Sequence, residues 1–336
     1  MPEPVGMMYR DQLLGGSMLS RRAILAAGLT GVAALVRPIK TVFATAAQPS
    51  TPVNFKVPAG TCDCHTHIVG DPAQFPFADP RPYTPEGASV AEMRSLHRAL
   101  HTDRVVIVQA SFYGTDNSCM LDAIKQLGPG ARGIAAIRDT TSNEELDELH
   151  RKGIRGIRTR LDGMGSDPAA LRQQFKASVE RIRDRKWHVE LVTTQLSQIE
   201  AIQEEVMASP VPVSIDLGSQ AALGAHQPGF ETFLRLIHAG KTYVNVSGPY
   251  GVAKQEPEYP DVVPSVKALI EANPQRITWG TNWPHVSRLA GKKVTEITPG
   301  LQIDDGLDFN RFASWASDAS QLKLILVENP ARLYGF

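Results

Sequence analysis

The chain is poor in several things, and each shortage removes a class of protein. It has three cysteines in 336 residues, Cys62, Cys64 and Cys119. An odd, small number rules out a disulfide framework, and their expected role is small buried packing. There is no charge of one sign to spare, since Lys+Arg and Asp+Glu both number 35. No basic surplus points to nucleic acid or to an anionic membrane. No apolar run beyond the N-terminus is long and charge-free enough to span a bilayer. Internal repeats and low-complexity tracts are missing too. What remains, 42% hydrophobic and 21% charged, is ordinary globular composition with enough chain for a large core.

The N-terminus reads as an address. Ser20-Arg21-Arg22-Ala23-Ile24-Leu25 leads into an apolar run from Ala23 to Val36, and Ala44-Thr45-Ala46 supplies a small-residue cleavage site. Charged region, apolar region and A-x-A site in that order predict a twin-arginine signal over residues 1–46. Residues 47–336 are then the folded domain. The expected partner of the signal is the twin-arginine export machinery. The expected location is periplasmic or otherwise exported, without stable membrane insertion once the signal is removed.

From Cys62 onward, short β-rich runs alternate with amphipathic helical stretches. Strands are predicted at 62–66, 104–109, 133–137, 156–160, 188–193, 212–217, 243–247 and 277–280. Helices are predicted between them, for example at 90–100, 144–152, 168–185, 196–208, 230–239 and 263–272. Such alternation implies parallel strands with helices outside. Eight units match a (β/α)₈ barrel of about 250 residues, although periodicity alone also allows a doubly wound open sheet. Two stretches break the rhythm: a proline-rich loop at 70–87 and a long insertion at 286–310. Both follow carboxyl ends of strands, where barrel sites are built.

Asp63-Cys64-His65-Thr66-His67 is the first candidate site. Alternation along a strand puts His65 and His67 on one face, where two imidazoles can bind one metal or polarise one carbonyl. With D-R-V-V-I-V-Q-A-S-F-Y-G-T-D-N at 103–117, G-I-R-G-I-R at 153–158, V-S-G-P-Y at 246–250, W-G-T-N-W-P-H at 279–285 and V-E-N-P-A-R-L-Y at 327–334, the chain resembles the amidohydrolase-related family. More narrowly, it resembles the branch containing 2-pyrone-4,6-dicarboxylate lactonase and D-galactarolactone isomerase.

The resemblance implies a distorted (β/α)₈ TIM barrel of the α/β class, with its site at the strand ends. It implies a carbonyl-facing role for His65 and His67. It places Ser111, Tyr113, Asn117, Tyr250 and His285 among substrate-binding residues. Arg158 matches an arginine that binds a substrate carboxylate, which a guanidinium can hold through two parallel hydrogen bonds. Arg160 shares its strand face and is the second candidate.

Three positions depart from the family's pattern. Its sixth strand ends D-H-x-G, whereas this chain reads Ser214-Ile215-Asp216-Leu217-Gly218, with Asp216 at the histidine's place. The family's S-G-P-Y-R loses its arginine to Gly251. The last-strand aspartate is Asn282, which lactone-isomerase sequences of the branch also carry. Catalysis is therefore expected from His65, His67, Asp216 as base and Asn282 as a hydrogen-bond donor to an oxyanion. No cofactor is expected. A divalent metal such as zinc, if used, would draw on His65, His67, His188 and Asp216, a set weakened because Asn282 carries no charge. The expected activity is hydrolysis of a small carboxylated or polyhydroxylated lactone. The alternatives are a sugar-acid lactone isomerase and a non-catalytic exported barrel that binds an organic acid.

Overall fold

The computed structural model describes residues 46–216, 227–255, 258–286 and 288–336, which all fall within the unit Phe43–Phe336. Except for Ala46, the expected signal lies outside the described residues. Among the described residues no helix is long and apolar enough to cross a membrane.

Eight parallel strands form one sheet in sequence order: β1 (Cys62–Thr66), β2 (Arg104–Val108), β3 (Ala131–Ala135), β4 (Ile154–Arg160), β5 (His188–Val192), β6 (Val213–Asp216), β7 (Thr242–Ser247) and β8 (Ile277–Gly280). The sheet closes into a (β/α)₈ barrel, but the seam is made beyond the end of β8. Asn282 N–H donates to His65 C=O at 2.8 Å, and His67 N–H donates to Trp283 C=O at 2.8 Å. The W-G-T-N-W-P-H segment thus both zips the barrel and enters its mouth.

The helical layer follows local signals. α1 (Val90–Leu100) starts at a reciprocal capping box between Ser89 and Glu92, α2 (Ser118–Leu127) follows Asn117, and α3 (Asn143–Arg151) starts at a second such box between Ser142 and Glu145. α4 (Pro168–Ile182) opens on a proline in its first turn behind the Asp167 cap. The helix expected over 196–208 is broken at Ile202 into α5 (Leu196–Ala201) and α6 (Gln203–Ala208). β3 ends two residues earlier than expected. The Asn117 side chain takes over the next backbone groups, donating to Ala136 C=O at 2.9 Å and accepting from Ala136 N–H at 3.1 Å. The two irregular loops meet: Ile297–Thr298 pairs in parallel with Thr84–Pro85, and Thr84 Oγ1 donates to Val294 C=O at 2.6 Å.

β1 carries an irregularity that positions the site. Asp63 pairs with Val105, but Thr66 pairs with Ile107, so β1 has one residue more than its neighbour over that span. This bulge shifts the alternation of side chains. Cys62 and Cys64 belong to a buried apolar cluster with Val106, Val108, Ile134 and Tyr334. All three cysteines are free and buried. Asp63 faces the other way, toward His97 of α1 at 3.3 Å and Thr281 Oγ1 at 2.7 Å, tying β1 to α1 and to the chain after β8. Beyond the bulge His65 returns to the barrel interior. Gly280 permits the fit, because a Cβ there would stand 2.6 Å from His65 N.

Candidate active site

Four buried polar side chains and the partly buried Arg158 meet inside the barrel. His65 Nδ1 lies 3.5 Å from Asp216 Oδ1 and 3.9 Å from Glu190 Oε2. Arg158 Nε lies 3.0 Å from Glu190 Oε1, an ion pair whose N–H direction is poorly aligned for a hydrogen bond. His67 sits edge-on to His65, with ring centroids 5.1 Å apart. Asp216 Oδ1 also accepts from Ser247 Oγ at 2.6 Å and from Asn245 Nδ2 at 3.3 Å.

Burial sets the protonation of this cluster. It holds His65 well below the ordinary imidazole range and the Arg158 charge adds to the effect. It lowers His67 to about 3, with His65 and Arg158 contributing. Both rings are therefore neutral at neutral pH. Burial also lifts Glu190 to about 7; Arg158 opposes the rise and Asp216 reinforces it.

A hydrogen bond fixes which nitrogen carries the proton in His67, and a nearby charge biases it in His65. His67 Nδ1 lies 2.8 Å from Val108 C=O, and a carbonyl only accepts. Nδ1–H must donate there, so neutral His67 presents a bare Nε2. His65 turns Nδ1 toward Asp216 at 3.5 Å, but neither of its buried ring nitrogens makes a hydrogen bond; the nearby carboxylate favours the proton on Nδ1 and a bare Nε2. Both free nitrogens are acceptors. Acceptor nitrogens suit holding and deprotonating a water, whereas the carbonyl-polarising role expected of the pair would need donors.

Two bare imidazole nitrogens are also half of a metal site, but the remaining donors do not fit. His188 is the correction here. It begins β5, in register with Gly156, two residues before the Arg158–Glu190 pair. Its Nδ1 bonds Arg155 C=O at 2.9 Å, and its ring packs edge-on to Tyr334 at 5.3 Å. It therefore belongs to the opposite end of the barrel. Among the described residues no group of three or more His, Cys, Asp or Glu is arranged to hold one ion.

Asn282 belongs to a different constellation. Its Nδ2 donates to the Tyr250 hydroxyl at 3.0 Å, that hydroxyl meets His285 Nδ1 at 2.8 Å, and His285 Nε2 meets Asp305 Oδ2 at 3.0 Å. His285 and Asp305 are fully or nearly fully buried. Asn282 and His285 both hold left-handed backbone, with φ of 63° and 59°, a region in which Asn and His are enriched.

The other expected substrate contacts divide. Arg158, Arg160 and Ser111 line a cavity of about 630 Å³ beside the ends of β2–β4, together with Gln109, Arg138 and Arg181. Four guanidinium groups make it attractive to an anion. Arg158 Nη1 donates to Gln109 C=O at 3.1 Å, which leaves it at the border between cavity and buried cluster. Arg160 is half-exposed and paired with Asp162. Tyr113 and Asn117 are spent on structure: the Tyr113 hydroxyl accepts from Gly70 N–H at 3.0 Å, and Asn117 caps β3. Sequence reasoning passed over Glu190, Ser247 and Asp305. Glu190 had a signal, as the one charged residue in the otherwise apolar run His188-Val189-Glu190-Leu191-Val192.

Comparison with known proteins supplies the class. The amidohydrolase family model Amidohydro_2 matches residues 62–336, so the chain belongs to that family. More narrowly, it is 33% identical over 299 residues to a 2-pyrone-4,6-dicarboxylate hydrolase of Comamonas testosteroni, covering 86% of this chain and 94% of that one. It is 30% identical over 288 residues to a 4-sulfomuconolactone hydrolase of Rhizobium radiobacter, covering 85% and 93%. An apo crystal structure from Agrobacterium tumefaciens shares the fold at a TM-score of 0.71 and 23% identity, over 85% of this chain and 99% of that one.

Proposed function

We propose that this protein hydrolyses a small anionic lactone without a metal. The observation that carries the reading is the pair of bare, neutral imidazole nitrogens backed by Asp216, next to an arginine-lined cavity. The two lactone hydrolases similar to this chain support it, since both of their named substrates are anionic lactones.

Water is held between His65 Nε2 and His67 Nε2. As its oxygen attacks the lactone carbonyl, its proton passes to His65 Nε2. Asp216, pinned by Ser247 and Asn245, fixes the ring and stabilises the imidazolium that forms. Asp216, expected from sequence to be the base, thus acts through His65. The Arg158 guanidinium, whose charge reaches both imidazoles, faces the developing oxyanion. Arg160, Arg138 and Ser111 in the cavity receive the substrate's acid group.

Proton NMR of a lactone panel incubated with the enzyme tests this. Ring opening is the expected result. A changed ring size would replace the hydrolase with a sugar-acid lactone isomerase, the reading that Asn282 favours. Unchanged spectra throughout would leave an organic-acid-binding barrel. Bound zinc in stoichiometric amount, tracking activity through chelation and reloading, would overturn the metal-free mechanism.

Export by the twin-arginine route is part of the same proposal. Cleavage after Ala46 would start the mature chain at buried Ala47, whose C=O accepts from Trp283 Nε1 at 2.9 Å. N-terminal sequencing of the exported protein checks it; a mature chain that retains residues 1–46 would sink it.

A further inference from the structure

We propose that Tyr250 is a further catalytic residue, the acid that protonates the departing ring oxygen, recharged by the His285–Asp305 pair behind it. This rests on the lactone-hydrolase reading. It gives the last-strand side of the site a proton donor where Asn282 offers no carboxyl group.

The argument begins with the phenol oxygen. The structure gives it two partners, Asn282 Nδ2 at 3.0 Å and His285 Nδ1 at 2.8 Å. The amide N–H can only donate. His285 Nδ1 can donate or accept, and Asp305 decides which. Its carboxylate lies 3.0 Å from His285 Nε2, almost without solvent contact. A lone negative charge in that position is costly to bury, whereas a proton shared between Asp305 and Nε2 keeps the pair neutral overall. Burial accordingly raises the Asp305 pKa. A neutral pair has a second proton, on Nδ1, directed at Tyr250. The phenol oxygen then accepts twice, and its own hydrogen is left for a third partner.

The chemistry balances. As the tetrahedral intermediate collapses, the acyl C–O bond breaks. The Tyr250 O–H bond breaks with it, and its proton forms the new hydroxyl on the leaving oxygen. The phenolate is held by Asn282 Nδ2–H and reprotonated from His285 Nδ1–H. The pair is then one proton short. Solvent refills it as His65 releases the proton taken from water. Asp308, which borders the same small cavity as Asp305 and has its carboxyl lifted to about 6 chiefly by burial, is placed to serve as a station for that return.

The test exploits leaving-group chemistry. Two carboxylated lactones are compared, one expelling an alkoxide and one, a dihydrocoumarin, expelling a phenolate that needs no acid. Tyr250→Phe is expected to lower kcat about 100-fold or more on the first and less than about 3-fold on the second, the range general-acid catalysis supplies. Equal losses on both, or none on either, would overturn the assignment, because a merely structural tyrosine cannot distinguish leaving groups. A second readout does not depend on turnover. In protein labelled with ¹⁵N-histidine, His285 is assigned from the signal lost in His285→Gln. Its Nδ1 should carry a proton and shift in Tyr250→Phe. A bare Nδ1 would overturn the relay. If wild-type protein opened neither lactone, the hydrolase reading and the acid role would both fall, while the histidine spectrum would still report on the hydrogen-bond chain by itself.

Discussion

The two ends of this barrel hold the same kind of residue in opposite circumstances. At the closed end His188 is neutral, lowered to about 4 by burial; it is bonded to Arg155 C=O and packed between Gly156 and Tyr334. At the mouth His65 and His67 are neutral for the same reason, and an unpartnered ring nitrogen does not tell the ends apart, since His188 Nε2 lacks a hydrogen-bond partner just as His65 Nε2 does. Burial alone does not mark a histidine as a candidate for catalysis, since all three have it. At the mouth, burial is combined with carboxylates and a guanidinium held at 3.0 to 3.9 Å, and with an adjoining cavity lined by arginines. The closed end has apolar neighbours and an aromatic plug. Neutral imidazoles beside charged groups and a cavity are candidates for chemistry, and filled space at the other end holds the barrel together.

The contrast can be broken most forcefully at Asp216. Asp216→Asn keeps the shape and the Ser247 contact but removes the charge behind His65. Steady-state kinetics should show kcat down by about 10²- to 10⁴-fold, with the denaturation midpoint almost unchanged. A retained rate would remove Asp216 from the mechanism.

Glu190 stands between the two ends, and its effect is a pH dependence. Its carboxyl is raised from 4.5 to about 7 in the fold. The folded state therefore binds that proton more tightly than the unfolded chain does. The stabilisation is complete below pH 4.5 and is lost as pH rises through 7. At 1.36 kcal/mol per pKa unit, wild type should lose on the order of 3 kcal/mol relative to Glu190→Gln across that window. Parallel urea-unfolding curves for the two proteins across that window would show that Glu190 does not titrate there.

The smallest effect is expected at the closed end. In Gly156→Ala the new Cβ would stand 2.4 Å from the His188 ring, which is too tightly packed to swing away. Overpacking of that kind costs about 1–3 kcal/mol, while kcat per folded molecule should stay at the wild-type value. A loss of kcat without a loss of stability would mean that the two ends are coupled and the contrast drawn between them is wrong.

Much of this was legible in the chain. The eight strand–helix units gave the architecture, and β1 and β8 were placed to the residue. His65 and His67 were read as a pair because strand alternation is local. Of the boundaries that slipped, one has a nonlocal cause and another a local one. β3 is cut short by Asn117 from another loop, and the helix over 196–208 is broken where the chain turns at Ile202. Glu190 was passed over because a glutamate in an apolar strand signals burial without naming its partner, and that partner, Arg158, lies on the neighbouring strand. Asp305 was passed over because it sits inside what looked like an unstructured insertion, although it is the first residue of the helix Asp305–Trp315.

Whatever depends on neighbours along the chain could be read directly: strand and helix periodicity, capping, the shared face of His65 and His67, the family motifs, and the loss of charge at Asn282. The tertiary structure decided what depends on register and closure. The bulge between Asp63 and Thr66 lets the cysteines and the histidines of one strand both point inward, where plain alternation would have separated them. Barrel closure brings Asp216 to His65. The seam beyond β8 lines up Asn282, Tyr250, His285 and Asp305 from segments up to 55 residues apart in number. These meetings were not readable in advance, because side-chain direction repeats every two residues along a strand, whereas contact across a barrel depends on how all eight strands are staggered.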